Sequence, residues 1–108
     1  MGEAVAVPLG KDKNDFIAAF SNIGEDTDVT GPGVGVISTV PAGFGVMSGT
    51  SMACPAETGA AARLLATRAN ILSMARGQAR SDTMAQTVLS AAQSLGFGAL
   101  FEGQGVVR

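Results

Sequence analysis

The stretch Gly49-Thr50-Ser51-Met52-Ala53-Cys54-Pro55 separates two parts of the chain that differ in character. Before it, closely spaced glycines and short apolar runs predict strands joined by tight turns. After it, from Ser51 to Ala69, the sequence is rich in alanine, leucine and arginine, which are good helix formers. Pro55 is expected near the first turn of this helix, where a missing N–H costs little. The stretch therefore predicts a strand-to-helix junction with a serine at the start of the helix.

A serine at such a junction is well placed for nucleophilic chemistry. The N-terminus of a helix presents unpaired N–H groups and a partial positive charge of about half an electron. Both stabilise an oxyanion that develops beside the serine. Gly49 permits the tight turn before Ser51. Taken alone, however, the pattern fits an ordinary N-cap serine better than a nucleophile.

The order of elements predicts an α/β or α+β chain of one domain, since its 108 residues are too few for two. Short strands are expected between about residues 4 and 48, broken at Gly31-Pro32-Gly33 and at Pro41-Ala42-Gly43. The helix from about residue 51 is followed by a second over about 82–95, with Gly96 as its stop. A last strand is expected at about 105–107.

Composition restricts the function. The chain is 46% hydrophobic and only 15% charged, which excludes a disordered chain and suggests a surface covered by further protein. No dense Lys/Arg cluster indicates nucleic acid, and no apolar run approaches the ~20 residues of a membrane-spanning helix. Cys54 is the single cysteine, so no internal disulfide or thiolate metal cage is possible. The chain contains no histidine, the usual general base beside a nucleophilic serine.

The segment Ser48–Pro55 resembles the serine signature of the subtilases, the subtilisin-like serine proteases, in which the third residue of Gly-Thr-Ser is the nucleophile. The likeness continues on both sides, in the family's order and at compatible spacings. The further matching segments are Phe20-Ser21-Asn22-Ile23-Gly24, Asp28-Val29-Thr30-Gly31-Pro32-Gly33-Val34, Ile37-Ser38-Thr39, Gly59–Leu65, Val88–Leu95 and Gly103-Gln104-Gly105-Val106-Val107. Residues 1–108 are therefore identified as the C-terminal segment of a subtilase catalytic domain.

The resemblance implies an α/β fold of three layers, a mostly parallel sheet flanked by helices. It implies that Ser51 is the catalytic nucleophile that forms the acyl-enzyme and that the Ser51 backbone N–H is an oxyanion donor. Gly49, Thr50, Met52 and Pro55 would support the motif, and Met52 would be the oxidation-sensitive methionine beside the nucleophile. The substrate would be a peptide or protein.

No cofactor is expected. Calcium is common in the family, but Asp26 and Asp28 alone supply too few of the six to eight oxygens that Ca²⁺ takes. No metal site is therefore assigned in this chain. Met1-Gly2-Glu3 lacks the basic region that opens a secretory signal, and the sequence assigns no compartment.

The chain departs from the family in two places. The triad order is Asp, His, Ser, and the Asp, the His and an oxyanion-binding Asn all precede the matched region. Without a histidine the chain alone is expected to be inactive. After Pro55 the family usually has His-Val-Ala-Gly, whereas this chain has Ala56-Glu57-Thr58-Gly59. An unpaired buried charge at Glu57 would cost more than the ~0.3–1 kcal/mol gained at a helix N-terminus.

Three interpretations follow. The leading one is a C-terminal portion of a subtilisin-like endopeptidase, whose partner is the missing N-terminal part of the domain. The second is a non-catalytic subtilase-like module that binds or completes another polypeptide. The third is an unrelated α/β domain with an accidental match. Loss of upstream strands would leave an exposed apolar sheet edge, so self-association or poor solubility is expected.

Overall fold

The structure is a computed structural model that describes residues 4–5 and 15–108. Strands lie in the first half of the chain and helices in the second. The elements are β1 (Ala4–Val5), β2 (Ile17–Ala18), β3 (Val36–Val40), β4 (Gly43–Met47), α1 (Thr50–Leu65), α2 (Ala69–Leu72), α3 (Gln78–Ala91) and α4 (Ala99–Glu102). The rest of the predicted strand from Ala4 onward lies outside the described residues.

The described strands form two separate two-stranded sheets, and both pairs are antiparallel. β3 and β4 pair from Val36 opposite Met47 to Val40 opposite Gly43. Pro41 and Ala42 alone connect them, and a connection of two residues can join only antiparallel strands. The mostly parallel sheet implied by the resemblance is therefore not what these four strands form.

One face of the β3–β4 hairpin is apolar and open. Side chains alternate between the faces of a strand, so Ile37, Phe44 and Val46 share a face. These side chains are 71%, 76% and 64% exposed. No other part of the described chain covers this face, which leaves a hydrophobic surface on a two-stranded sheet.

The C-terminal segment holds the two halves of the chain together. Val106 makes an antiparallel bridge to Gln93 and a parallel bridge to Thr30. A Cβ at Gly105, whose φ is 111°, would overlap the carbonyl oxygen of Gln93, so only glycine permits this approach. The expected last strand is thus a pair of single bridges, and the bridge to Thr30 is the one parallel contact between the described strand-like segments.

The buried core of the described residues is small. Its buried apolar side chains are Ile17, Ile71, Phe97 and Val107. The long helices α1 and α3 bury no side chain completely. α3 begins at Gln78, earlier than the predicted 82, because the Gln78 amide donates to Asp82 Oδ1 at 2.7 Å and stabilises a first turn. In the described part of the chain no helix is long and apolar enough to cross a membrane.

Glu102, at the end of α4, is a charged side chain within this core and is only 2% exposed. Its Oε1 accepts the Ser94 hydroxyl at 2.6 Å, and its Oε2 accepts the N–H groups of Leu95 at 3.0 Å and Phe97 at 3.3 Å. Burial by itself would raise the pKa of Glu102, but these hydrogen bonds together outweigh it and lower the pKa. The carboxylate therefore organises the turn after α3 as an anion.

We expect Glu102→Gln to lower the free energy of unfolding at pH 7 by about 2 kcal/mol, since the variant loses the charge and one acceptor oxygen. A lowered folded pKa stabilises above the unfolded value of 4.5, and this stability is lost as the pH falls through the folded pKa. The difference between the native chain and the variant, measured by urea unfolding, should therefore shrink as the pH falls from the unfolded value of 4.5 through the folded pKa.

The matched control is Glu25→Gln, at an exposed carboxylate, which should change stability by less than about 0.5 kcal/mol. An equal effect of the two substitutions at pH 7, or a difference that does not depend on pH, would contradict the role given to Glu102.

Candidate functional site

The start of α1 is held against the loop that precedes the hairpin. The Gly49 N–H donates to the Gly33 carbonyl at 2.7 Å. Gly49 is the N-cap residue with φ 155°, a conformation that favours glycine, and no side chain caps the helix. This hydrogen bond therefore joins the two ends of the hairpin, and the chain enters α1 directly after it.

Gly33 is required by the closeness of this contact. A Cβ at Gly33 would lie 2.8 Å from the Gly49 carbonyl oxygen and 3.2 Å from Ala53 Cβ. Since real Cβ atoms are not found that close to a backbone oxygen, a side chain at Gly33 would push α1 away from the loop.

The first turn of α1 leaves two N–H groups free beside Ser51. The N–H groups of Met52 and Ala53 both donate to the Gly49 carbonyl, at 3.1 and 3.2 Å. Within the described residues, the N–H groups of Thr50 and Ser51 have no acceptor. Two aligned donors at a helix N-terminus favour a negatively charged oxygen next to them.

Ser51 itself is exposed and is the second residue of α1. The interpretation of Ser51 as an ordinary N-cap is wrong, because Gly49 occupies that position and no side chain bonds the free N–H groups. No hydrogen bond to another described residue holds the Ser51 hydroxyl. The geometry thus presents a free hydroxyl next to its own free backbone N–H.

The other motif residues surround this point. Thr50 and Pro55 are exposed, and Met52 is half-buried, with its Sδ 3.7 Å from the point where a Cβ on Gly49 would lie. Pro55 was expected near the first turn but lies in the second, because α1 begins at Thr50. The missing N–H of Pro55 leaves the Ser51 carbonyl without its usual donor four residues later.

A groove of about 990 Å³ runs beside this end of the helix. Thr50, Ala53 and Glu57 line it from α1, and Gly31–Val34 lines it from the loop. Its remaining walls include the aromatic side chains of Phe16, Phe20, Phe97 and Phe101. The groove is therefore largely apolar and open along the helix that carries Ser51.

Glu57, a departure from the family pattern, faces this groove and is half-buried. Its Oε2 accepts the backbone N–H of Val107 at 3.1 Å. Burial raises the pKa of Glu57, and the hydrogen bond from Val107 opposes this rise without cancelling it. The Glu57 carboxylate is thus not an unpaired charge, since it has a backbone partner 50 residues away in the sequence.

In the described ranges 4–5 and 15–108, no three His, Cys, Asp or Glu side chains are grouped as a metal site. The Asp28 carbonyl oxygen accepts the Gln104 N–H at 2.8 Å and so belongs to the backbone bridge. Whether a longer parent domain binds calcium stays a prediction. Cys54, three residues after Ser51, is an exposed free thiol.

The sequence comparisons show the family of the chain. The model of the subtilase family (Peptidase_S8) matches residues 3–107. Subtilisin NAT of Bacillus subtilis subsp. natto is 51% identical over 49 residues, which cover 44% of this chain and 13% of that protein. Subtilisin of Bacillus pumilus is 51% identical over 49 residues, covering 44% of this chain and 18% of that protein.

A subtilisin-like protease of Coccidioides posadasii (strain C735) is 40% identical over 65 residues, covering 59% of this chain and 16% of that protein. The matched parts thus span between 13% and 18% of the length of these three relatives. No solved structure matches the chain.

We expect Gly33→Ala to lower the free energy of unfolding by about 1–3 kcal/mol, because the new methyl group meets the Gly49 carbonyl. The substitution should also speed hydrogen exchange at the Gly49 amide, because its hydrogen bond to the carbonyl of residue 33 is lengthened or broken. Urea unfolding and amide exchange measure the two effects.

Gly59→Ala is the control, since a Cβ there meets nothing within 4 Å and Gly59 lies inside α1. This change should raise stability by up to about 1 kcal/mol through helix propensity. If Gly33→Ala proves as stable as Gly59→Ala, the contact between Gly33 and Gly49 does not position α1.

Proposed function

Because the chain belongs to the subtilase family, a family of serine peptidases, we propose that it supplies the nucleophile-bearing C-terminal part of a subtilisin-like endopeptidase. The observation that carries the proposal is the exposed Ser51 at the start of α1, beside the free N–H groups of Thr50 and Ser51. The activity, the peptide or protein substrate and the missing N-terminal partner are all proposals about the whole enzyme.

In this proposal Ser51 Oγ attacks the carbonyl carbon of a peptide bond while a base takes the hydroxyl proton. The carbonyl oxygen becomes an oxyanion, which the Ser51 N–H and the helix N-terminus stabilise. The C–N bond then breaks, the amine leaves with a proton, and the acyl group stays on Ser51. Water attacks the ester in the same way and releases the acid with a free hydroxyl.

The base must come from outside this chain, because its 108 residues contain no histidine. The chain's two lysines, Lys11 and Lys13, lie in a polar segment outside the described residues. We therefore propose that the chain alone is inactive, and that the Asp, the His and the remaining oxyanion donor belong to the N-terminal part of the domain. The groove along α1 is the surface that this part would cover.

The three-layer arrangement belongs to the same proposal. The parallel bridge between Thr30 and Val106 would be the edge of the mostly parallel sheet, and α1 would pack on one of its faces. The small residues of α1, which are largely exposed here, suit close packing against a sheet: Ala56, Gly59 and Ala62.

A non-catalytic binding module remains the second candidate. The observation that favours it is the open apolar face of the hairpin, formed by Ile37, Phe44 and Val46. An exposed apolar surface of this kind indicates contact with further protein whether or not the assembly is catalytic. The two candidates differ in what happens when the missing part is supplied.

We expect the chain to hydrolyse a peptide substrate only after mixing with the complementary N-terminal portion of a subtilase catalytic domain that carries the Asp and His. Ser51→Ala should reduce turnover in the mixture to the residual level, about 10³–10⁴ over the uncatalysed reaction, that oxyanion donors and binding provide. Ser90→Ala, at an exposed serine of α3, is the control and should leave turnover unchanged.

A stable complex without turnover supports the binding module instead. Turnover by the unmixed chain that depends on Ser51 contradicts the proposed inactivity. Turnover in the mixture that survives Ser51→Ala contradicts the assignment of the nucleophile.

The apolar hairpin face also predicts self-association of the chain when it has no partner. Replacing Ile37 and Phe44 together by threonine keeps strand propensity and removes apolar surface. We expect the association constant measured by sedimentation to fall at least about tenfold. Thr39→Ser, on the same face, should change it little. Unchanged association of the double variant would show that another surface is responsible.

A further inference from the structure

Glu57 connects α1 to the C-terminal segment. It lies six residues after Ser51 on the same helix, and its Oε2 accepts the Val107 N–H at 3.1 Å. Val107 is itself buried in the core. Since α1 has no buried side chain, this hydrogen bond adds a specific attachment to a loosely packed helix.

Gly31 leaves the space that Glu57 occupies. A Cβ at Gly31 would lie 2.6 Å from Glu57 Cγ and 3.1 Å from its Oε1. Gly31 does not have a positive φ, so its backbone conformation does not require glycine. The glycine is therefore needed for the room that it leaves to the Glu57 side chain.

The same segment receives both attachments of α1. Gly33, which holds Gly49, follows Thr30 by three residues, and the Thr30 N–H donates to the Gly105 carbonyl at 2.9 Å. Glu57 holds Val107, two residues after Gly105. The start of α1 is therefore connected to the backbone of residues 105–107 through Gly33 and Thr30. Its second turn is connected to the same backbone directly, through Glu57.

The charge state of Glu57 bears on this attachment. Burial raises the pKa of Glu57, so stability from this group is present below the unfolded value of 4.5 and is lost as the pH rises through the folded pKa. Asp15 and Arg108 are charged side chains that line the same groove. The shift of the Glu57 pKa comes from burial and from the Val107 hydrogen bond.

We propose that Glu57 is a positioning residue for Ser51. Its side chain occupies the space that Gly31 leaves open and accepts the Val107 amide, which fixes the position of α1 and hence that of Ser51. The proposal rests on the proposed function only in taking the position of Ser51 to matter for catalysis. The attachment itself is a property of the chain and is measurable without turnover.

The test uses amide NMR on the chain with Glu57→Gln and Glu57→Ala. Glu57→Ala should speed hydrogen exchange at the Val107 amide about tenfold, whereas Glu57→Gln, which keeps an acceptor oxygen, should largely restore protection. In the native chain the amide signals of Thr50 and Ser51 should titrate together with Glu57, and in Glu57→Gln this titration should disappear. Thr58→Ala, at the next residue of α1, is the control. It should leave both the hydrogen exchange at the Val107 amide and the titration of the Thr50 and Ser51 signals as they are in the native chain.

Unchanged exchange at Val107 in Glu57→Ala would overturn the attachment. A change at Val107 without any titration of the Thr50 and Ser51 signals would make Glu57 structural only and overturn the positioning role. In the complemented enzyme, Glu57→Ala should lower kcat with little change in KM, and Glu57→Gln should recover most of it. Absence of turnover with native Glu57 would contradict the proposed function, while the NMR results still decide the attachment.

The fit between Gly31 and Glu57 has its own test, a double-mutant cycle on stability. Gly31→Ala should destabilise the native chain strongly and the Glu57→Ala chain much less, with a small remaining cost from the Ala53 carbonyl at 3.1 Å. An equal cost of Gly31→Ala in both backgrounds would overturn the proposed match.

Discussion

The hydrogen bond from the Gly49 N–H to the Gly33 carbonyl, 2.7 Å long, is the contact on which the site depends. It closes the hairpin, places the start of α1 against the loop and admits no side chain at Gly33. The next two bonded N–H groups, of Met52 and Ala53, turn to the Gly49 carbonyl. Among the described residues, the N–H groups of Thr50 and Ser51 have no acceptor and can meet an external oxygen, as a nucleophilic serine requires.

Two carboxylates carry out structural work in a chain with few buried side chains, and they differ in charge preference. Glu102 receives several hydrogen bonds, from Ser94 and from neighbouring backbone N–H groups, and its pKa is lowered. Glu57 receives one, from Val107, and burial raises its pKa. The number of donors therefore decides whether burial or hydrogen bonding prevails. A fall in pH through its folded pKa weakens the contribution of Glu102, whereas a rise in pH through its folded pKa weakens that of Glu57.

Local signals in the sequence were sufficient for the junction at Gly49, for α1 and for the family, since glycine, helix formers and the motif around Ser51 act over a few residues. Contacts between distant residues were not predictable. Val107 lies 50 residues from Glu57, and nothing near Glu57 indicates an amide partner. The role of Gly31 depends on a side chain that only the fold brings to it. The buried network of Glu102 was missed because a lone Glu after an apolar run has no distinctive pattern.

We propose that Ser51 is a nucleophile that this chain presents but cannot activate. Labelling with a fluorophosphonate, with the modified residue located by mass spectrometry, tests it most directly. We expect no labelling of the chain alone, and labelling of Ser51 once the N-terminal portion with its Asp and His is added. Labelling of Ser51 without that portion, or labelling of another residue such as Thr50 or Ser48 in the mixture, would contradict it.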